Sequence, residues 1–392
     1  MKKLLFAAAV ITAMASCSNN EIIDVNPGEG ISFRTSLDKA TRANAENVTL
    51  LSNLKEFNVT AIGDNKSYFT NLKVSSENQG TSWNTASIYY WPSFNLDFFA
   101  YAPTSINSIV SITNDAKVIK GFAPATEVSE QKDLLVSYNT GNKTQNEISG
   151  VALNFKHALS QIEIKAKCSN PNIIIKVKGI RIVNPATKGT FTFPSTPTTA
   201  ESQLQQSFWG SLEGENTSAY KIKGNEIELN KTAQSLMFGN NNFMLIPQKL
   251  TAWNGTEATT GAYISVLCQI YSKTEDGQNI LLYPNHSSSN IRRYASVILP
   301  EGTNTNKYAY ASVPINTIWE PGKKYIYTLD FCSTTDSGGA GLIDPNPDTD
   351  DQEVDPNPKD NSKGGDPVLN GPIKFTVNVE NWIDEEKEIT MN

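Results

Sequence analysis

The residues able to do chemistry in this chain are few and poorly grouped. Only two histidines are present, His157 and His286. His157 stands in NFKHALSQ at a strand-like junction, where a hydrogen-bonded structural histidine is the expected use. Neither histidine is accompanied by a G-x-S-x-G elbow or a similar local geometry, so Ser-His-Asp catalysis has no positive support. A glycosidase built on strands needs two carboxyl groups facing each other across a sugar bond. The available acids, Asp97 and Glu163, occupy polar-face positions of alternating strands, where solvated carboxylates are the default. The expectation is a protein that is not an enzyme and carries no cofactor.

One acidic run has a metal-like register. Asp344, Asn346, Asp348, Asp350, Gln352 and Asp355 fall at positions 1, 3, 5, 7, 9 and 12 of a calcium loop. Position 6 is Thr349 where the sharp turn wants glycine, Pro345 and Pro347 stiffen the wrong places, and no flanking helices are evident. A solvated spacer is the preferred reading and no metal is assigned. Of the 4 cysteines, Cys168, Cys268 and Cys332 match no CxxC or zinc spacing and are odd in number. Buried free thiols fit better than a disulfide framework.

The ordered stretches that carry these residues have a period of two. In ISFRTSL, residues 31–37, Ile31, Phe33 and Leu37 point one way while Ser32, Arg34 and Ser36 point the other, the pattern of a half-buried strand. FNLDFFAYAP alternates in the same sense, and SQIEIKAK sets Ile162, Ile164 and Ala166 against Glu163, Lys165 and Lys167. Further strands are expected at 173–182, 190–193, 243–246, 263–271, 280–283, 295–299, 325–331 and 373–379. Turn-forming clusters such as NPATKG and GNKTQNEISG separate them. No window carries a long amphipathic helical period, so the class is all-β, with antiparallel sandwiches.

The 392 residues suggest two domains of ordinary size, with a boundary near Ala158. Residues 18–158 would form the first and 159–392 the second. Within the second, 333–372 is acidic, lacks aromatics and reads as a proline-stiffened solvated linker. Taken as a flexible coil of about 40 residues, it spans on the order of 35 Å. A fresh strand follows at 373–379, with Ile373, Phe375, Val377 and Val379 on one face. The 33 basic residues against 40 acidic ones give a net charge of −7, and no basic block could track a phosphate backbone, so nucleic acid is not a partner.

The first residues set the compartment. Lys2 and Lys3 precede an apolar stretch, 4–15, too short to span a bilayer, which reads as a secretory signal. It ends in MASC, and small residues before Cys17 resemble a bacterial lipobox. An acylated Cys17 would begin the mature protein and tether it to the membrane, each buried methylene contributing about 0.8 kcal/mol. The aromatic stretches SIYYWPSF and SFWG, with Trp91 and Trp209, offer a stacking platform for sugars, although core packing is the commoner use of such residues. A non-polymerising, carbohydrate-binding surface lipoprotein is therefore the alternative function.

Several stretches in order, namely YYWPSFNLDFFAYAP, DLLVS, VALNFKHALSQIEIKA, MLIPQ, PGKKYIYTLDF and the closing IKFTVNVENW, resemble the fimbrillin family of Bacteroidales. That family includes FimA/Mfa-type pilins and Mfa-like lipoproteins. The resemblance implies two transthyretin-like, Greek-key β-sandwich domains in tandem. It implies a structural or adhesive subunit of fimbriae at the outer membrane, with other fimbrial subunits and a host or bacterial surface ligand as partners. It also implies lipidation at Cys17 and removal of an N-terminal segment by an arginine-specific protease. Arg42, followed by Ala43 in the TRA of LDKATRANAEN, matches the cleavage position.

Such a cut would release the strand of Ile31, Phe33 and Leu37. At about 1.5 to 3 kcal/mol per large side chain, the emptied groove forfeits on the order of 5 to 9 kcal/mol. A strand from another subunit recovers this through backbone hydrogen bonds and alternate side chains. Head-to-tail insertion is a heterologous contact that does not close, and so builds a filament. The expected donor strand is Ile373, Phe375, Val377 and Val379, although the same strand could instead complete its own domain.

Overall fold

A computed structural model of the chain describes residues 30–37, 53–76, 82–215, 219–256, 260–286, 291–294, 297–300, 306–332, 339–369 and 371–382. Its elements are nearly all strands. In chain order they are β1 (Phe33–Leu37), β2 (Glu56–Gly63), β3 (Lys66–Ser75), β4 (Asn84–Thr85), β5 (Leu96–Ala102), β6 (Val110–Ile112), β7 (Lys117–Phe122), β8 (Leu135–Gly141), the single-turn helix α1 (Lys143–Asn146), β9 (Val151–His157), β10 (Ser160–Cys168), β11 (Ile173–Val183) and β12 (Lys188–Thr192). They continue as β13 (Trp209–Glu213), β14 (Ala219–Glu228), β15 (Gln234–Ser235), β16 (Phe243–Leu245), β17 (Tyr263–Lys273), β18 (Asn279–Tyr283), β19 (Ile291–Tyr294), β20 (Val297–Pro300), β21 (Ala309–Pro314), β22 (Lys323–Phe331), β23 (Leu342–Ile343) and β24 (Lys374–Asn381). The all-β expectation holds, and no described helix is long and apolar enough to cross a membrane.

Seven strands form one sheet in the order β1-β9-β8-β5-β2-β3-β4. Its two edges are brought together. Trp83, just ahead of β4, donates from Nε1 to Thr35 Oγ1 of β1 at 2.9 Å, and the Ile31 N–H donates to the Tyr89 carbonyl at 2.7 Å. The sheet is thus rolled around an aromatic core, in which Phe57 of β2 meets Phe155 of β9 with ring centroids 5.1 Å apart. β1 is the stave that closes the roll.

The other face of this sheet, with Phe99, Tyr101, Val136 and Tyr138, packs with Ile119, Phe191 and Trp209 of a four-stranded sheet ordered β13-β12-β7-β6. β12 follows Ala158 in sequence yet pairs with β7 before it, Gly189 opposite Phe122 and Phe191 opposite Ile119, and β13 pairs with β12. The chain therefore crosses the expected division at Ala158.

The remaining sheets share the largest core. One is ordered β15-β10-β22-β24, with β16 on β10. The other runs β14-β11-β17-β18-β20-β19, with β21 on β17 and β23 on β21. In β10 the side chains of Ile162, Ile164 and Ala166 are wholly buried, as the alternation requires. Glu163 departs from its expected solvated role. It is nearly buried and lies 2.8 Å from Lys324 Nζ on the parallel neighbour β22, because covering a carboxylate is tolerated once a cation pairs with it.

Residues 339–369 correct the reading of a solvated linker. They lie against the last sheet as a strap. β23 pairs with β21, the Tyr308 N–H donates to the Glu353 carbonyl at 2.8 Å, and Ala340, Ile343, Val354 and Val368 are buried. Composition misled here because the acidic side chains find cations. Lys221 and Lys223 project from β14, beside Arg181 and Gly179 of β11, and take up Asp348, Asp351 and Glu353. The prolines do not stiffen a free rod. Asp344, Asp351 and Asp355 each accept the N–H two residues on, from Asn346, Glu353 and Asn357, so the run is a series of Asx-turns.

Candidate functional site

β1 and β24 are the two terminal strands of the described chain, and the site is built around them. Both carry the same short pattern, Ile31-Ser32-Phe33 and Ile373-Lys374-Phe375. Alternation puts the isoleucine and the phenylalanine on one face of each strand. What surrounds the two strands differs.

β1 pairs in parallel with β9, Phe33 opposite Val151 through Leu37 opposite Phe155. Ile31 and Phe33 are 6% and 7% exposed, and Leu37 is half-buried against the same core. The Phe33 ring stands edge-on to Phe98 at 5.8 Å and to Phe57 at 6.3 Å. Polar anchors are few and lie at the margin, with Ser36 Oγ donating to Asn154 Oδ1 at 2.5 Å and the Val151 N–H donating to the Ser32 carbonyl at 2.9 Å. Two full burials contribute about 3 to 6 kcal/mol, with a part-share from Leu37. Taking β1 away would open a slot between β9 and the segment carrying Trp83 and Tyr89. Cys17, Arg42 and Ala43, the expected lipidation and cleavage positions, lie outside the described residues.

β24 lies antiparallel on β22 over eight residue pairs, from Lys323 opposite Asn381 to Asp330 opposite Lys374. Of its expected apolar face, Ile373 is buried, Phe375 and Val377 pack on the large core from partly covered positions, and Val379 is 50% exposed. Sequence reasoning missed the residue that ends the strand. Trp382 is 2% exposed, its backbone N–H donates to the Gly322 carbonyl at 2.8 Å, and its ring stacks on His157 at 4.2 Å and 9°. It joins the core shared by the seven- and four-stranded sheets, so it ties the last described strand to strands from the first part of the chain. The signal was present in VENW, where a tryptophan after a polar strand end needs a pocket of its own.

His157 is accordingly given to packing. Its Nδ1 lies 2.6 Å from Asp133 Oδ2, both side chains being inaccessible, and its ring face is covered by Trp382. His157 and Trp382, together with Lys156, Leu204, Gly322 and Lys323, border a cleft of about 370 Å³. His157 is also the last residue of β9, the strand that carries β1. The slot and the tryptophan contact therefore sit on one strand, two residues apart.

The strap supplies the electrostatics near β24. Arg181 and Asp344 form a buried pair at 2.6 Å. Arg181 also donates to the Asn346 carbonyl and lies over the Tyr310 ring at 4.2 Å, while Tyr263 and Ser265 donate to the Asp344 carboxylate. Burial pushes the Tyr263 hydroxyl up, and the Asp344 charge adds to it. Burial would lower the Arg181 pKa, but Asp344 reverses this and holds the guanidinium charged. At the strap's surface, a hydrogen bond from Lys223 holds the Glu353 carboxyl below its usual value. For Asp351, burial acts upward and is outweighed by Lys223 and by the Glu353 N–H. Burial would depress His286, but hydrogen bonds to Asp355 at 2.8 Å and Asp360 at 3.3 Å raise it.

The acids of the calcium-like register therefore point to separate protein partners, Asp344 to Arg181, Asp348 to Lys221 and Asp355 to His286. Among the described residues no three His, Cys, Asp or Glu side chains are grouped to hold a metal. Asp97 accepts from the Tyr138 hydroxyl at 3.1 Å. Of the aromatic residues weighed as a sugar platform, Tyr90 is 43% exposed, while the two tryptophans are engaged in packing. Trp209 is buried and donates from Nε1 to the Ala158 carbonyl at 2.8 Å, and the Trp91 ring packs edge-on to Phe98 at 6.0 Å. Cys168, Cys268 and Cys332 are buried free thiols.

A rolled sheet closed by a strand from one end of the chain, and a second sheet edged by a strand from the other, define an all-β protein completed by its terminal strands. Residues 41–345 match the family described as fimbrillin-like, and the chain belongs to that family. It is similar in structure to a fimbrial protein from Bacteroides vulgatus ATCC 8482, at 16% identity and a TM-score of 0.49, covering 91% of this chain and 100% of that one. It is similar also to candidate cell adhesion proteins from Bacteroides ovatus ATCC 8483 (14% identity, TM-score 0.44, 92% and 99% covered) and Bacteroides eggerthii DSM 20697 (12%, 0.46, 91% and 97%). No curated protein matches the chain.

Proposed function

We propose that this chain is an adhesive fimbrial subunit of the cell surface, exported as a lipoprotein acylated at Cys17 and cut between Arg42 and Ala43. The cut frees β1, and a strand from another subunit fills the slot between β9 and the Trp83 to Tyr89 segment. The chain would fold as two β-sandwich units in tandem, with β12 and β13 crossing between them. The observation that carries this reading is the position of β1. It closes the rolled sheet, places Ile31 and Phe33 in its core, and ends five residues before Arg42. A strand bound mainly by apolar burial and edge hydrogen bonds is the kind that another extended segment can replace.

Limited trypsin digestion of the purified protein tests this. Cleavage after Arg42 is expected to yield a new N-terminus at Ala43, while Arg292-Arg293, in the ladder of β19 with β20, stays uncut. A labelled peptide of residues 30–37 should then exchange into the cut protein and not into the uncut one. An uncut Arg42 in a folded protein, or a cut protein that takes up no peptide, would overturn the reading.

A further inference from the structure

We infer that this subunit accepts a strand but withholds its own, so that it forms an end of a filament and its partner is a strand-donating subunit of different sequence. The inference rests on the strand-acceptor reading above. It comes from how β24 is fastened at both ends.

At its root, the Gly341 N–H of the strap donates to the Gly371 carbonyl at 3.2 Å. The backbones of Gly339 and Gly371 approach so closely that an added Cβ at Gly339 would lie 2.0 Å from the Gly371 carbonyl carbon. Ile373 is seated in the large core. The strap that carries this root is itself held by Asp344 on buried Arg181, by Asp348 on Lys221 at 2.7 Å and by Asp351 and Glu353 on Lys223 at 2.5 Å. With the strap in place, the chain from Leu369 to Ile373 extends at most about 14 Å. At the other end, Trp382 is stacked on His157 and sunk in the first core.

Donating β24 would require three events together. Trp382 must leave His157, Ile373 must leave the core, and β22 must give up eight residue pairs, uncovering the partly buried contacts of Phe375 and Val377. β1 must also give up five residue pairs with β9 and the burial of Ile31 and Phe33, but among the described residues it has neither a strap at its root nor a tryptophan seated in a second core. A subunit with a releasable acceptor slot and a fastened terminal strand can be joined at one side only, and a head-to-tail chain stops there. The acceptor slot prefers an incoming strand of the form Ile-x-Phe-x-Thr-x-Leu, since Ile31, Phe33 and Leu37 face its core and Thr35 accepts from Trp83 Nε1.

The test uses trypsin-cut full chain that takes up the residue 30–37 peptide, so that failure of the acceptor reading is recognised beforehand as absence of uptake. By light scattering, the cut protein alone is expected to stay monomeric. Two variants, Trp382→Ala and the double substitution Lys221→Ala with Lys223→Ala, are cut in the same way after circular dichroism shows them folded. The lysine pair is partly exposed and guards against a tryptophan variant that fails to fold. At least one variant should give a ladder of oligomers, which an excess of the residue 30–37 peptide suppresses at least tenfold. Ladders from the cut unaltered protein would overturn the inference. So would folded, peptide-competent variants of both kinds that remain monomeric.

Discussion

An Ile-x-Phe pattern leads into both β1 and β24, which lie at opposite ends of the described chain, yet the molecule holds them differently. β1 shares five residue pairs with β9 and fills its slot with two buried side chains. β24 shares eight with β22, faces its core less completely, and is pinned beyond both ends by Gly371 and Trp382. The lesson is that the alternating pattern selects a strand but not its permanence. Permanence comes from what stands outside the strand, for β24 an acidic strap and the seated Trp382, whereas β1 has no such clasp among the described residues.

Ways to break that contrast can be ranked. The largest effect is expected at the strap. Asp344→Ala leaves Arg181 charged, buried and without its carboxylate, a change that costs about 3 to 5 kcal/mol. Urea unfolding should show it as a lower midpoint. An unchanged midpoint would mean that the strap is not part of the cooperative fold.

Phe33→Ala comes next, at about 3 kcal/mol in the uncut protein, the low end for a buried phenylalanine because the stave lies at a sheet edge and can settle. After cutting and removal of β1, variant and unaltered protein should unfold alike, since the substituted residue is gone. A difference that persists would place Phe33 outside the removable segment.

A smaller effect follows from pH. The contributions of Asp351 and Glu353, whose folded values are depressed, are complete above the ordinary carboxylate range and are lost as pH falls through those depressed values. His286 has a raised folded value, so its contribution is complete below the ordinary imidazole value and is lost as pH rises through the raised one. The strap should be most protected against hydrogen exchange between these ranges, at about pH 5 to 6. Protection of β9 should change little over the same interval, and a parallel change there would remove the contrast.

The smallest expected effect is Lys323→Ala. Its Nζ donates to Asn381 Oδ1 at 2.6 Å from an exposed position, and such a bond contributes on the order of 0.5 kcal/mol. Thermal unfolding should barely move. A large loss would show that the β22 to β24 pairing depends on that side-chain contact rather than on its fastened ends.

Much of the fold was legible because strands advertise themselves by alternation and by β-branched and aromatic residues between turn clusters. β1, β5, β10, β11, β17, β22 and β24 all coincide with stretches read from alternation. β2 escaped although Phe57, Val59 and Ala61 alternate with Asn58 and Thr60, a period-two signal that was left unused. The sharp turn after it, with Asp64 and Asn65 at positive φ, was a hairpin signal left unused. β12 could not be placed with the earlier strands, because its partner β7 lies more than sixty residues before it and pairing at that range leaves no local trace. The strap was misread because composition counts acids without asking what faces them. The alternating Lys221 and Lys223, and Arg181 on the neighbouring strand, were the complementary half of that signal. Trp382 shows the same limit, since its role depends on His157, which lies far away in sequence and close in space.

The central claim, that β1 is a removable stave and β24 a fastened one, meets its most direct test in amide hydrogen exchange before and after cleavage at Arg42. With β1 removed, protection should fall along β9 from Val151 to Phe155 and return when the residue 30–37 peptide is added, while the β22 amides from Lys324 to Asp330 stay protected throughout. Protection along β9 that survives removal of β1, or loss of protection along β22 before β9, would contradict the account.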